Sequence, residues 1–134
     1  MIASEIMTGR PTTVSARTSI RSTLRKLAEL DVRHLPVTSD GAVVGMVSDR
    51  DLRDVVSRLL LEAGPDLDLL LERPVGDVMS ADVIAVDPET DVDEIIDLMV
   101  EHRIGAVPVV TPDTADLVGI VSYVDVLRAS KTGE

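Results

Sequence analysis

The chain has 134 residues, a single-domain size, and its 45% hydrophobic content is ordinary for a globular protein with one compact core. A formal net charge of -11 repels polyanions, and with no Phe, no Trp and only Tyr123 as an aromatic the chain cannot assemble a stacking platform, so neither DNA nor RNA is expected as a partner. The absence of cysteine excludes disulfides, thiolate metal sites and a cysteine nucleophile, and no apolar run approaches the roughly 20 residues that span a bilayer, so a soluble, cytoplasmic protein with no membrane partner is expected.

Taken in chain order, the elements come twice. Met7 aligns with Met79 at an offset of 72, which also carries Val14 onto Val86, Thr18 onto Thr90 and Leu35-Pro36-Val37 onto Val107-Pro108-Val109. After a two-residue insertion in the loop at 111–116, the offset becomes 74, and Gly45-Met46-Val47-Ser48 matches Gly119-Ile120-Val121-Ser122. Each copy reads as strand, helix, strand, strand, helix, an α/β (α+β) unit. The first helix should start after Thr18 or Thr90, whose hydroxyls can cap it, with core faces Ile20, Leu24, Leu27, Ala28 and Val92, Ile96, Met99, Val100. Two strands follow in each copy, joined in the first by an Asp40-Gly41 hairpin, and Pro36 and Pro108 suggest edge or strand-start positions. Closing helices run from about Asp49 to Glu62 and from about Tyr123 to Ala129. The expected division is repeat 1 at 1–63, a linker at 64–74 broken by Gly64-Pro65-Asp66 and Arg73-Pro74 around a short helix at Leu67 to Leu71, and repeat 2 at 75–134.

The residues with chemistry stand where each last strand turns into its helix, at Ser48-Asp49-Arg50-Asp51 and Ser122-Tyr123-Val124-Asp125. One reading is a capping box, with serine accepting from the backbone N–H three residues on and the acid complementing the helix dipole. The other uses the same geometry for a ligand: a helix N-terminus and hydroxyl suit phosphate, and a carboxylate one turn later can accept bonds from a ribose diol. The residue types alone leave both open. Glycine at Gly45 and Gly119 either relieves a strand bend or admits a ligand close to backbone. The acids Asp87, Glu89, Asp91, Asp93 and Glu94 fit a helix N-terminus better than a metal site, and the two histidines, His34 and His102, stand in no triad or metal spacing. A phosphate-binding Gly-x-x-x-x-Gly-Lys loop is absent, so no enzymatic machinery is read and no cofactor is required.

These motifs in duplicate, with Ile6-Met7-Thr8 and Val78-Met79-Ser80 ahead of each copy, resemble a stand-alone tandem pair of CBS domains, a Bateman module, over roughly Ile6 to Leu127. The resemblance implies two repeats packed with pseudo-two-fold symmetry, clefts between them for AMP, ADP, ATP or S-adenosylmethionine, a homodimer, and signalling to an effector protein on another chain. Its ribose-binding aspartates fall on Asp51 and Asp125, with Ser48 and Ser122 in the same motifs. Thr13, Met46, Ala85 and Ile120 join the nucleotide-binding set. Repeat 1 adds Arg33, His34 and Arg50 near phosphate; repeat 2 has Gly105-Ala106 in place of Arg33-His34, and its Tyr123 offers a ring to lie against the base, so unequal clefts are expected. The rivals are a structural or adaptor pair whose motifs are only helix caps, and a divalent-cation sensor.

Overall fold

The structure, a computed structural model, describes residues 1–64 and 66–133, and Pro65 of the expected linker break lies outside them. In chain order the elements are α1 (Ala3–Ile6), β1 (Thr8–Gly9), β2 (Val14–Ser15), α2 (Ile20–Leu30), β3 (His34–Ser39), β4 (Ala42–Ser48), α3 (Asp49–Ala63), α4 (Leu67–Leu71), a 3₁₀ turn at Val75–Asp77, α5 (Val92–His102), β5 (Ala106–Val110), β6 (Leu117–Ser122) and α6 (Tyr123–Gly133). Among the described residues, no helix is long and apolar enough to cross a membrane.

The chain forms two compact units, Thr12–Asp82 and the combination of Met1–Pro11 with Val83–Glu134. The sequence repeat and the units are therefore cut at different places: the segment that opens each copy packs in the unit built on the other copy. In the first unit, Val75 N–H donates to the Thr18 carbonyl at 2.6 Å and Ile20 N–H to Arg73 at 2.9 Å. In the second, the equivalent bonds run from Ala3 to Thr90 at 2.8 Å and from Val92 to Met1 at 2.9 Å. Each unit has its own sheet, ordered β2-β3-β4 in one and β1-β6-β5 in the other. The expected opening strand of the second copy is reduced to a parallel bridge between Val86 and Val109. The cores are likewise separate: Val14, Leu27, Leu35, Val37, Val47, Leu52 and Val75 in one unit, and Ala3, Val86, Ile95, Met99, Val107, Val109, Val121 and Val126 in the other. Arg21 reaches from α2 to Asp68 at 3.0 Å and Glu72 at 3.1 Å, which fastens the α4 segment to the first unit.

Several local expectations change. The helix caps are Ser19, whose hydroxyl accepts from Ser22 N–H at 3.0 Å, and Asp91, whose carboxylate accepts from Asp93 N–H at 2.8 Å. Thr18 and Thr90 instead close the preceding turns, accepting from the Ser15 and Asp87 N–H groups. The buried faces of α2 and α5 are Ile20, Thr23, Leu27 and Val92, Ile95, Met99, whereas Ala28 is exposed and Val100 is 73% exposed. Thr23 tolerates full burial because its hydroxyl donates to the Ser19 carbonyl at 2.8 Å.

Pro36 lies third in β3, the central strand of its sheet, rather than at an edge or strand start. Its partner Met46 exchanges both backbone bonds with Ser80 on the other side, so Pro36 and Met46 are not hydrogen-bonded to each other. The β2 strand meets β3 only from Val37 onward, so the missing proline N–H falls where no neighbour strand needs it. The hairpin between β3 and β4 is the expected one: Asp40 and Gly41 have φ of 52° and 83°, the left-handed pair that a two-residue turn needs.

Gly45 and Gly119 serve packing, and each also stands beside a shift of register in its ladder, between Val37 and Thr38 opposite Gly45 and between Val109 and Val110 opposite Gly119. A Cβ on Gly45 would collide with the Met79 side chain and stand 2.9 Å from the Ser80 carbonyl oxygen. On Gly119 it would collide with Met7 and stand 3.1 Å from the Thr8 carbonyl oxygen. The missing side chains thus let the methionine-bearing segments lie directly on β4 and β6.

Candidate functional site

In both copies a strand runs without a loop into a helix, because serine stops the strand with extended backbone and caps the helix that follows. Ser48, with φ -117° and ψ 156°, accepts from Asp51 N–H at 3.0 Å, and the equivalent bond from Asp125 N–H to the Ser122 hydroxyl is 3.3 Å. The turns before β3 and β5 are tied to the same place: Asp49 N–H donates to the Arg33 carbonyl at 3.1 Å, and Tyr123 N–H to Gly105 at 2.9 Å.

The aspartates themselves differ. Asp125 is half-buried and closes a full capping box, its carboxylate accepting from Ser122 N–H at 2.9 Å and from the Ser122 hydroxyl at 3.1 Å. Asp51 is exposed and contributes only its backbone N–H, so its two carboxylate oxygens keep their accepting capacity. Near-identical motifs therefore yield one occupied carboxylate and one open one.

Asp51 stands on the wall of a cavity of about 310 Å³ within the Thr12–Asp82 unit. Met46 and Val47 of β4 form one side, Leu52, Asp54, Val55 and Arg58 extend the α3 side, and Val78-Met79-Ser80 close it. The apolar groups provide a desolvated wall and the charges stand together on one helix. Of the residues singled out in the sequence, Met46 and Asp51 line this cavity; Thr13, Arg33, His34, Ser48 and Arg50 do not. Arg33 and Arg50 are exposed, while Thr13, His34 and Ser48 are half-buried. In the other unit Ala85 is exposed, Ile120 and Ser122 are half-buried, and the Tyr123 ring is 41% exposed. Asp54 and Arg58 stand in no sequence motif, although their spacing from Asp51 places all three on one helical face.

His34, opposite Ser48 in the β3–β4 ladder, is held below the usual histidine pKa, chiefly because burial disfavours its charged form. Asp51 and Asp49 pull the value upward, and Arg33 adds to the lowering. The unfolded chain therefore takes up the proton first as pH falls through about 6.5, so His34 withdraws stability on acidification. We expect His34→Gln to flatten the loss of stability between pH 7.5 and 5.5, measured as urea midpoints; parallel midpoint losses for both proteins would assign the acid sensitivity elsewhere.

The acids ahead of α5 are occupied locally: Asp87 accepts from Glu89 N–H at 2.8 Å and Asp91 from Asp93 N–H at 2.8 Å. Among the described residues, no group of three or more acidic or histidine side chains is arranged to hold a metal ion.

The CBS domain family model matches the chain twice, at residues 3–58 and 75–132. The chain belongs to the CBS domain family. The CBS domain-containing protein YhcV of Bacillus subtilis is 30% identical over 121 residues, which cover 90% of this chain and 79% of that protein. The crystal structure of CBSX2 in complex with AMP has a TM-score of 0.80 at 30% identity, covering 97% of this chain and 96% of that one. The CBS domain pair of protein MJ0100, in complex with 5′-methylthioadenosine and S-adenosyl-L-methionine, shares the fold with a TM-score of 0.85 at 23% identity, covering 100% and 98% of the two chains. The mixed α/β architecture is thus that of a CBS pair, with two small sheets flanked by helices.

Proposed function

We propose that this CBS pair is a regulatory module that binds an adenosine-containing ligand and passes the signal to a partner protein. The observation that carries the reading is Asp51: an open carboxylate on the wall of a partly apolar cavity, at the motif position that suits a ribose diol. The AMP complex of CBSX2, at 30% identity, supports the ligand class. Ser48 fixes the start of α3 and so the direction of Asp51. Arg33, His34 and Arg50 sit at or near the same strand-to-helix turn, outside the cavity, where they can meet a ligand group that projects into solvent. The role is binding without turnover, and a ligand can transmit a signal only through different affinities for two conformations of the module.

The two copies are not equal in this reading. The closed capping box at Asp125 favours a structural role for that motif, and ligand entry there has to displace the bonds from Ser122. Ala85, Ile120, Ser122, Tyr123 and Asp125 therefore form the weaker candidate set. Calorimetric titration of ligand-free protein with AMP, ATP and S-adenosylmethionine tests the function. Saturable heat for at least one ligand, with affinity weakened on mutating Asp51, is the expected result; no heat for any of them leaves the structural or adaptor reading in its place.

A further inference from the structure

We propose that the cavity beside Asp51 takes an adenosyl amino acid, with Asp54 receiving its ammonium group and Arg58 its carboxylate, in preference to a phosphorylated nucleotide. The inference rests on the reading that Asp51 holds a ribose and names the class of ligand attached to it.

The charges on the cavity wall come in a fixed order. Asp51, Asp54 and Arg58 lie at i, i+3 and i+7 on α3, on one face, and all three line the cavity. At about 1.5 Å rise per residue, Arg58 stands roughly 10 Å along the axis from Asp51, with Asp54 between them. A ligand anchored at Asp51 by its ribose and lying along α3 therefore meets a negative group and then a positive one. An α-amino acid carries ammonium and carboxylate on a single carbon, and this matches neighbouring acid and guanidinium groups one helical turn apart.

The pair is also unspent. Asp54 and Arg58 have the i,i+4 spacing that ordinarily forms an ion pair on a helix surface. Among the described residues, however, the ion pairs are Arg21–Asp68, Arg21–Glu72 and Arg73–Asp77, and none joins Asp54 to Arg58. Both charges thus keep their hydrogen-bonding capacity on the cavity wall. A phosphate drawn to Arg58 would instead lie close to two carboxylates, in a chain of net charge -11, while Arg33, His34 and Arg50 stand outside the cavity lining. Met46 and Met79 add polarizable thioethers to the same wall, suited to a base or to the sulfur that links ribose to an amino-acid end.

The full chain, freed of carried-over ligand, would be titrated calorimetrically with S-adenosylmethionine, S-adenosylhomocysteine, 5′-methylthioadenosine and AMP. Both adenosyl amino acids should bind at least about tenfold more tightly than 5′-methylthioadenosine, which lacks the amino-acid end, and than AMP. Asp54→Asn and Arg58→Gln should each shrink that margin severalfold, with unchanged circular dichroism confirming that the variants fold. AMP binding as tightly as S-adenosylhomocysteine, or a margin that both variants leave intact, overturns the assignment. Should 5′-methylthioadenosine or AMP bind in an Asp51-dependent way with no margin for the amino-acid end, the adenosine reading stands and the assignment to Asp54 and Arg58 falls. Absence of binding by every adenosine compound removes the underlying reading, and this assignment with it.

Discussion

Asp51→Asn should weaken binding of an adenosine ligand by about 10- to 100-fold while lowering the thermal midpoint by no more than about a few degrees. A charged hydrogen bond contributes about 1.5–3 kcal/mol, and each 1.4 kcal/mol is a factor of ten in affinity. The folded state asks little of this carboxylate: the cap uses the Ser48 hydroxyl and the Asp51 backbone N–H, both of which survive the substitution. A remaining contribution comes from charge at the helix N-terminus, where Asp49 also stands, and this is worth about 0.3–1 kcal/mol at an exposed position. Asp125→Ala should show the reverse pattern. Its carboxylate accepts two bonds from Ser122, and loss of a cap costs about 0.5–2 kcal/mol, a drop of several degrees in midpoint, with a smaller effect on ligand affinity. Titration and thermal melts of the two variants side by side decide the matter. Equal affinity losses would mean that the capping box at Asp125 opens readily and that the two motifs are equivalent.

The contrast between these aspartates also marks how far the sequence could be read. Duplication, the order of elements, the hairpin at Asp40-Gly41 and the membership of a family of paired repeats were all legible, because each depends on local spacing or on a motif written twice. The core faces of α2 and α5 were legible in Ile20, Leu24, Leu27 and in Val92, Ile96, Met99, but their edges were not. Apolarity favours Ala28 and Val100 over Thr23, yet Thr23 is buried because a local bond to the Ser19 carbonyl satisfies its hydroxyl. The threonine caps failed for a related reason: Thr18 and Ser19 are adjacent hydroxyls, and only backbone geometry decides which one closes the turn and which one caps the helix. Pro36 in a central strand depends on where β2 begins, a long-range fact that no local window contains. At the site, the motif located Asp51 but could not show that its carboxylate is open while that of Asp125 is closed. Asp54 and Arg58 belong to no motif at all, and only the cavity gives their charges a common address.

Gly45→Ala should cost about 1–3 kcal/mol of stability, the usual range for forcing a methyl group into a filled space. The collision with Met79 could be relieved by rotating a flexible side chain, but the Ser80 carbonyl oxygen, 2.9 Å from the new Cβ, cannot move freely. Ser80 is clamped to Met46 by two backbone bonds, Met46 N–H to Ser80 at 3.0 Å and Ser80 N–H to Met46 at 3.1 Å, so retreat of that oxygen weakens both. Adding Met79→Ala should therefore fail to restore the lost stability. Gly9→Ala is the control, because a Cβ there meets nothing within 4 Å and the substitution should be neutral or slightly stabilising. Urea midpoints of the three variants test the argument, and a Gly45→Ala midpoint equal to that of Gly9→Ala would show that the close approach does not exist. The same displacement reaches the site, since Met46, Met79 and Ser80 all line the cavity beside Asp51. Gly45→Ala should consequently weaken ligand binding even under conditions where the protein is fully folded, which ties a packing residue with no polar atom of its own side chain to the chemistry of the site.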